Sequence, residues 1–191
     1  MTQSGKPQAK LRKSAIAARR AMDDSARRYA SSIICERVIR SNEFVSCNTL
    51  VCYLPAYGEV DPTAIIERAW RAKKRIFAPV TKTPGTMVFR EITPDTVLRR
   101  NNLGIWEPES GECIAAKHCD LVVTPVVAFD SYGHRIGMGS GYFDRCFAFL
   151  KHRRRWRRPK LIGVAFDCQK VEKITPNPWD IPVYQVFTEI G

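Results

Sequence analysis

Seventeen residues carry most of the chemistry this chain could do: Phe129-Asp130-Ser131-Tyr132-Gly133-His134-Arg135-Ile136-Gly137-Met138-Gly139-Ser140-Gly141-Tyr142-Phe143-Asp144-Arg145. They follow the apolar, β-branched run Leu121 to Val127 and lead into Cys146 to Leu150, so the pattern predicts a buried strand, a glycine loop and a helix starting at Tyr142. Glycine admits backbone torsions closed to other residues and lets the main chain come close to a ligand. Free N–H groups at such a turn, and the positive end of a following helix dipole, both favour an anion. Arg135 and Arg145 bracket the glycines with fixed positive charge, and Asp144 offers the hard oxygen that a phosphate-bound Mg²⁺ prefers. The chemistry implied is the holding of a nucleotide phosphate with magnesium. Alternating glycines are also what a tight strand-to-helix turn needs, and the pattern is neither a Walker A sequence nor the Rossmann fingerprint.

The whole set of strand, Phe-Asp, Gly, Arg, three glycines, aromatic pair and Asp-Arg resembles the loop of the 5-formyltetrahydrofolate cyclo-ligase (5,10-methenyltetrahydrofolate synthetase) family. The resemblance extends in order through Leu11-Arg12 and Arg20, Tyr53-Leu54-Pro55, Glu59-Val60-Asp61, Ala78-Pro79-Val80, Ile162 to Phe166, Gln169-Lys170-Val171, Trp179-Asp180-Ile181-Pro182 and Phe187-Thr188-Glu189. It covers nearly the whole chain and implies one domain over residues 1–191. The implied reaction is the ATP- and Mg²⁺-dependent closure of 5-formyltetrahydrofolate to 5,10-methenyltetrahydrofolate, with release of ADP and phosphate.

Site residues follow from the same resemblance. It places ATP on Arg12, Arg20, Arg135, Gly137, Met138, Gly139, Ser140, Gly141, Tyr142 and Phe143, with Arg135 and Arg145 neutralising charge during catalysis. Folate falls to Leu54 and Glu59, with Met138, Gly139, Ser140, Gly141 and Tyr142 shared between the two substrates. Magnesium falls to Asp144 and Asp180. Read without the resemblance, Glu59 is a carboxylate after a strand and a glycine, Asp180 a turn residue after Pro178, and Arg12 with Arg20 an ordinary basic pair two turns apart on a helix. Two positions depart from the family pattern: Gln8 stands where a lysine contacts ATP, with Lys6 or Lys10 as substitutes, and Phe143 replaces a tyrosine. Trp106 and Phe89 are candidates for an aromatic pocket wall or for core. His134 is read as a solvent-facing loop residue.

These side chains need a scaffold. Leu11, Ala15, Ala18 and Met22 recur at helical spacing in a first amphipathic helix over about residues 8 to 22, and Asp23 or Asp24 caps a second whose buried face includes Tyr29, Ile33 and Val38. Thereafter strands (Thr49 to Leu54, Arg75 to Ala78, Met87 to Glu91, Leu121 to Val127, Leu161 to Ala165) alternate with helices (Pro62 to Ala72, and from Tyr142), and Pro84-Gly85 marks a turn. The expected fold is a single α/β domain: a mostly parallel sheet with helices on both faces, preceded by an N-terminal helical segment. Both motifs then follow strands, where ligands of such sheets collect.

At 191 residues and 45% hydrophobic content the chain can bury one good core. It has no membrane-length apolar run and no secretory signal pattern, which reads as a cytoplasmic protein with no membrane partner. Seven cysteines without C-x-x-C spacing suggest neither a disulfide framework nor a zinc site, and Cys113, His118 and Cys119 read as loop and strand-edge residues. A formal charge of +12 attracts polyanions, and the run from Arg153 to Arg158 around Trp156 offers an alternative reading as an RNA-binding module. The same run also reads as a solvated connection with Trp156 on the core, or as an attractor for a polyglutamylated folate tail.

Overall fold

The computed structural model describes residues 5–82, 85–153 and 158–191. Helices α1 (Gly5–Ala21), α2 (Asp24–Arg40) and α3 (Asn42–Ser46) precede strand β1 (Thr49–Cys52), helix α4 (Thr63–Arg71) and strands β2 (Arg75–Thr81), β3 (Met87–Glu91), β4 (Leu98–Arg100), β5 (Trp106–Pro108) and β6 (Cys113–Ile114). Then come β7 (Leu121–Pro125), β8 (Ala128–Phe129), β9 (Arg135–Ile136), α5 (Tyr142–Cys146), β10 (Lys160–Val164) and β11 (Gln185–Phe187), with 3-10 turns at Ala116–His118, Ala148–His152 and Asp167–Gln169.

Seven strands form the central sheet in the order β11-β10-β7-β1-β2-β3-β6. The five from β11 to β2 are parallel, while β3 and β6 add antiparallel at one edge. Leu50 is paired with Ile76 and Leu121, and Val51 with Phe77 and Val122, so alternate residues of each strand face opposite sides. Both sides are covered, which is why β1 and β7 carry the apolar runs Leu50 to Cys52 and Leu121 to Val123. On one face Leu50, Ile76, Leu121 and Ile162 pack with Ile34 and Val38 of α2, Phe44 of α3 and Ile65 of α4. On the other, Val51, Phe77, Phe89, Val122 and Leu161 pack with Phe147 and Phe143, and Phe147 lies 5.8 Å from Phe89 in a stacked pair.

Two local expectations change. Asp23 caps α2 as foreseen, accepting from the Ala26 N–H at 2.8 Å, but the buried stripe is Ala30, Ser31, Ile34, Cys35 and Val38. Tyr29 is 70% exposed and Ile33 half-buried. At about 100° per residue, nine residues turn a helix by about 900°, so Tyr29 and Val38 stand on opposite faces. The helix after the glycine loop is also short, five residues before a 3-10 turn. Phe147 ends it by entering the core against Phe89, and so brief a helix adds little dipole. Pro84 and Arg154 to Arg157, with Trp156, lie outside the described residues.

What the sheet does for function follows from its connections. From β1 the chain moves by α4 to β2 on one side, whereas β7 is followed on the other side by β10 and β11. The winding direction therefore reverses between β1 and β7, and the crevice beyond their carboxyl ends is where ligands of open α/β sheets bind. Tyr53 to Glu59 leave β1 there, and the glycine loop leaves the β8–β9 hairpin that follows β7.

Candidate active site

A cavity of about 480 Å³ opens at this switch point. It is lined by Leu54 and Glu59 from beyond β1, by Arg135 and every residue from Gly137 to Asp144, by Arg12 of α1, and by Asp180 near the C-terminus. Residues 168 positions apart in the chain thus share one wall.

The hairpin beneath the loop is fixed by Asp130. Its Oδ1 accepts the N–H groups of Tyr132 and His134, each at 3.0 Å, while Oδ2 accepts the Ile174 N–H at 2.9 Å and pairs with the His134 ring at 2.9 Å. Burial opposes the charge of this carboxyl, but these contacts outweigh it and hold the group below the usual carboxylate range. His134 is therefore engaged with the hairpin and does not line the cavity.

Beyond β9 the chain enters the loop at Gly137, whose carbonyl accepts Arg12 Nε at 2.8 Å. Gly139 and Gly141 sit at φ +106° and +66°, left-handed conformations that L side chains rarely adopt. Arg135 is 7% exposed, its Nη2 donating to Asp144 Oδ1 at 2.8 Å; its buried Nε has no hydrogen-bond partner among the described residues. Asp144 Oδ1 also accepts the Ile181 N–H at 3.1 Å, which joins the end of the loop to the Asp180 segment. Asp180 Oδ2 accepts from Asn177 N at 2.7 Å, Asn177 Nδ2 at 3.2 Å and Gln8 Nε2 at 3.3 Å.

Asp144 Oδ2 and Asp180 Oδ1 carry no hydrogen bond among the described residues, so two cavity-lining carboxylates each keep an oxygen in reserve. Oxygen-only donors of that kind fit Mg²⁺, which usually takes one or two carboxylates and completes its shell with phosphate and water. Among the described residues no group of three or more His, Cys, Asp or Glu could hold a metal by itself.

The folate-side candidates form the opposite wall. Glu59 is half-buried, its N–H donating to Ala56 O at 3.0 Å and its Oε2 accepting the Ala56 N–H at 3.3 Å. Burial pushes its carboxyl up to about 7, against the opposing pull of Arg19 and the Ala56 N–H. Tyr57, Leu103, Ile105, Trp106, Met138 and Trp179 supply apolar surface around the opening. Trp106 lines the cavity with Arg100 4.9 Å above its ring, whereas Phe89 is fully buried core.

Two arginines are placed elsewhere. Arg20 is exposed on α1 and does not line the cavity. Arg145 folds outside the loop, Nη2 donating to Ser140 O at 2.5 Å and Nε to Gly85 O at 3.0 Å, with its guanidinium 5.5 Å from the Tyr142 ring. It braces the loop against the β2–β3 connection. Phe143 lines the cavity and stacks 6.2 Å from Phe147, so this position serves packing as well. Gln8 also lines the cavity; Lys10 is exposed, and the Lys6 side chain lies outside the described residues.

Sequence reasoning missed Arg19 and Glu107. Arg19 is 2% exposed and donates to the Tyr57 carbonyl at 3.1 Å. Its signal was present, because a seven-residue step returns a helix to almost the same face and puts Arg19, rather than Arg20, in line with Arg12. Glu107, 7% exposed, lines the cavity while its Oε1 accepts from Thr81 N, Thr81 Oγ1 and Asn101 Nδ2 at 2.7–2.8 Å. These contacts couple separate strands, and nothing local in the sequence announces them.

Fold and site together define an α/β enzyme in which a cationic glycine loop and a carboxylate-bearing apolar wall face one cleft. Residues 4–189 match the model of the 5-formyltetrahydrofolate cyclo-ligase family, and the chain belongs to that family. The 5-formyltetrahydrofolate cyclo-ligase of Escherichia coli is 34% identical over 174 residues, covering 89% of this chain and 93% of the relative. That of Haemophilus influenzae is 29% identical over 164 residues, covering 83% and 84%. The solved 5,10-methenyltetrahydrofolate synthetase of Aquifex aeolicus superposes with a TM-score of 0.82 at 29% identity, over 96% of this chain and 90% of the other.

Proposed function

We propose that this enzyme closes 5-formyltetrahydrofolate to 5,10-methenyltetrahydrofolate with Mg·ATP, releasing ADP and phosphate. The observation that carries the proposal is that one cavity is lined both by the glycine loop with Arg12 and Arg135 and by Glu59 with an apolar wall. The first set suits a polyphosphate. The second suits a flat heterocycle with a donor edge, because a carboxylate can accept two parallel hydrogen bonds from an amino-pyrimidine.

In this reading the formyl oxygen on N5 attacks the γ-phosphorus as the bond to the ADP oxygen breaks. N10 then adds to the activated carbon and gives up its proton, and the carbon–oxygen bond to phosphate breaks as the methenyl bridge forms. An amide-like oxygen is a weak nucleophile, so the protein's task is alignment and charge neutralisation. Arg135, its Nε unpaired among the described residues, and the loop amides face the transferring phosphoryl group, and Arg12 holds the loop through Gly137. Leu54, Glu59 and the loop residues Met138 to Tyr142 hold the folate against it. Arg145 acts through the loop it braces. Arg20, exposed on α1, is assigned to ATP as a longer-range cation. Mg²⁺, held by Asp144 and Asp180 with the nucleotide, would offset phosphate charge.

The seven cysteines are all unpaired and no described helix is long and apolar enough to cross a membrane, which supports placing this chemistry in the cytoplasm. The basic surface leaves room for a polyglutamylated substrate. Purified protein given 5-formyltetrahydrofolate, ATP and Mg²⁺ should produce the methenyl product and one ADP per turnover. No product with all three present overturns the proposal.

A further inference from the structure

Helix α1 presents Gln8, Arg12 and Arg19 along one stripe, because steps of four and seven residues return a helix to nearly the same face. Each side chain grips a different segment of the cleft. Gln8 reaches Asp180 at 3.3 Å, Arg12 the glycine loop at 2.8 Å, and Arg19 the turn that carries Glu59 through the Tyr57 carbonyl at 3.1 Å. The first two contacts fall on groups already assigned to the nucleotide side. The third falls on the folate side, where the proposed site gives α1 no task.

The turn itself needs support. Tyr57 and Gly58 have φ of +55° and +73°, two successive left-handed residues, and the first carries a bulky side chain. Arg19 takes the Tyr57 carbonyl from inside the protein, while the Tyr57 hydroxyl donates to the Leu103 carbonyl across the mouth of the cavity. Arg27 of α2 lies against Gly58, its Cζ 3.6 Å from where a β-carbon would stand, and pairs with Asp24 at 3.1 Å. Behind Glu59, the buried Tyr53 of the β1 end donates its hydroxyl to Val60 O, and Asp61 is occupied by Thr63. Arg19 is thus the buried cation whose charge acts on Glu59, the two forming no ion pair among the described residues, and its Nε has no hydrogen-bond partner among those residues.

We propose that Arg19 is the positioning residue for Glu59: it fixes the turn through the Tyr57 carbonyl and sets a buried positive charge behind the carboxylate that meets the substrate's donor edge. The proposal rests on the reading of Glu59 as the pterin contact. It assigns Arg19 to folate recognition and predicts that the nucleotide does not sense it. Burial raises the Glu59 carboxyl, and Arg19, ahead of the Ala56 N–H, pulls it back towards the charged form.

Two conservative variants separate charge from hydrogen bonding. Arg19→Gln keeps a donor for Tyr57 but removes the charge, whereas Arg19→Lys keeps the charge. Steady-state KM for 5-formyltetrahydrofolate and for ATP is measured across pH on the full chain. With Arg19→Gln, the folate KM should rise on the order of tenfold near neutral pH, the loss of one charged partner. The rise should shrink at alkaline pH, and the pH below which folate binding weakens should move upward. Arg19→Lys should leave that pH where it is in the parent enzyme. ATP KM should stay within about twofold in both, since neither variant touches the loop. A folate pH profile unmoved by Arg19→Gln, or folate and ATP KM rising in parallel at every pH, overturns the proposal and leaves Arg19 as helix packing. Glu59→Gln distinguishes the underlying reading: unchanged folate KM there rejects Glu59 as the contact, whatever Arg19 does. Where Glu59→Gln does weaken folate binding, adding Arg19→Gln should produce no further pH shift.

Discussion

Replacing Asp144 and Asp180 separately by Asn tests the magnesium assignment, and the structure predicts that the two variants will differ in stability while agreeing in activity. Asp144 is the partner of a nearly buried cation: the Arg135 and Asp144 side chains are 5% and 19% exposed and meet at 2.8 Å. Asn at 144 can still accept from Arg135 and Ile181, but the ion pair becomes a charge–dipole contact and the buried guanidinium loses its counter-charge. Removing one partner of a buried ion pair costs about 3–5 kcal/mol, and with the hydrogen bonds kept and Asp144 partly exposed the expected loss is about 2–4 kcal/mol. For a chain of this size that lowers Tm by about 4–16 °C. Asp180 receives neutral donors from Asn177 and Gln8 and pairs with no cation among the described residues, so Asn there should lower Tm by less than about 4 °C.

If both carboxylates hold Mg·ATP, each variant should lose on the order of a hundredfold in kcat/KM for ATP, about 2.7 kcal/mol of transition-state stabilisation. Raising Mg²⁺ should restore part of that loss. The assay is methenyl product formation at varied Mg²⁺ beside thermal unfolding of the same preparations. Full activity in a folded Asp180→Asn would refute the pairing, because it removes a carboxylate with little structural penalty. Loss in Asp144→Asn alone would point instead to the role of its ion pair in placing Arg135.

Glu59 should impose a pH dependence on folate binding. With its carboxyl at about 7, the charged acceptor is depleted as pH falls, so folate KM should rise below about pH 7 while ATP KM stays flat. Glu59→Gln should weaken folate binding by about 1–3 kcal/mol and abolish that slope, as isothermal titration would show. The linked stability has the opposite sense. A carboxyl raised in the folded state favours folding fully below its unfolded value near 4.5 and loses that contribution as pH rises towards 7, so the Tm of Glu59→Gln relative to the parent should improve over that window. Gly133→Ala should cost about 1–3 kcal/mol by thermal unfolding, since Gly133 has φ +82° and a β-carbon there would lie 2.7 Å from the Val183 carbonyl. Changing Arg153, Arg154, Arg155, Arg157 and Arg158 to Ser should leave monoglutamate turnover intact. Tight RNA binding at physiological salt, lost in that variant, would restore the nucleic-acid reading; Arg153 packs 4.9 Å from Phe149 and Arg158 pairs with Asp120 at 2.8 Å.

The strands were legible in the sequence because a sheet covered on both faces must be apolar at every position, and runs such as Leu121 to Val123 have few other uses. The glycine loop was legible because Gly139 and Gly141 occupy torsions that restrict the choice of residue. Arg135 and Arg145, by contrast, looked equivalent. One ends up buried against Asp144 and the other on the outer side of the loop, since Arg135 lies in β9 and Arg145 on a helix whose other face carries Phe143 towards the core. Helical periodicity could have resolved Arg19 from Arg20 and Tyr29 from Ala30, because both questions concern rotation about one axis. Glu107 could not have been found this way. Its three donors come from β2 and from the turn before β5, and their meeting depends on how the small β4–β5 ribbon settles over the sheet. Local rules therefore delivered the groups that stand on regular elements or in constrained turns. The cleft's remaining polarity comes from contacts between elements, which is why a side chain such as Glu107 became visible as part of the site only once the fold had brought its partners to it.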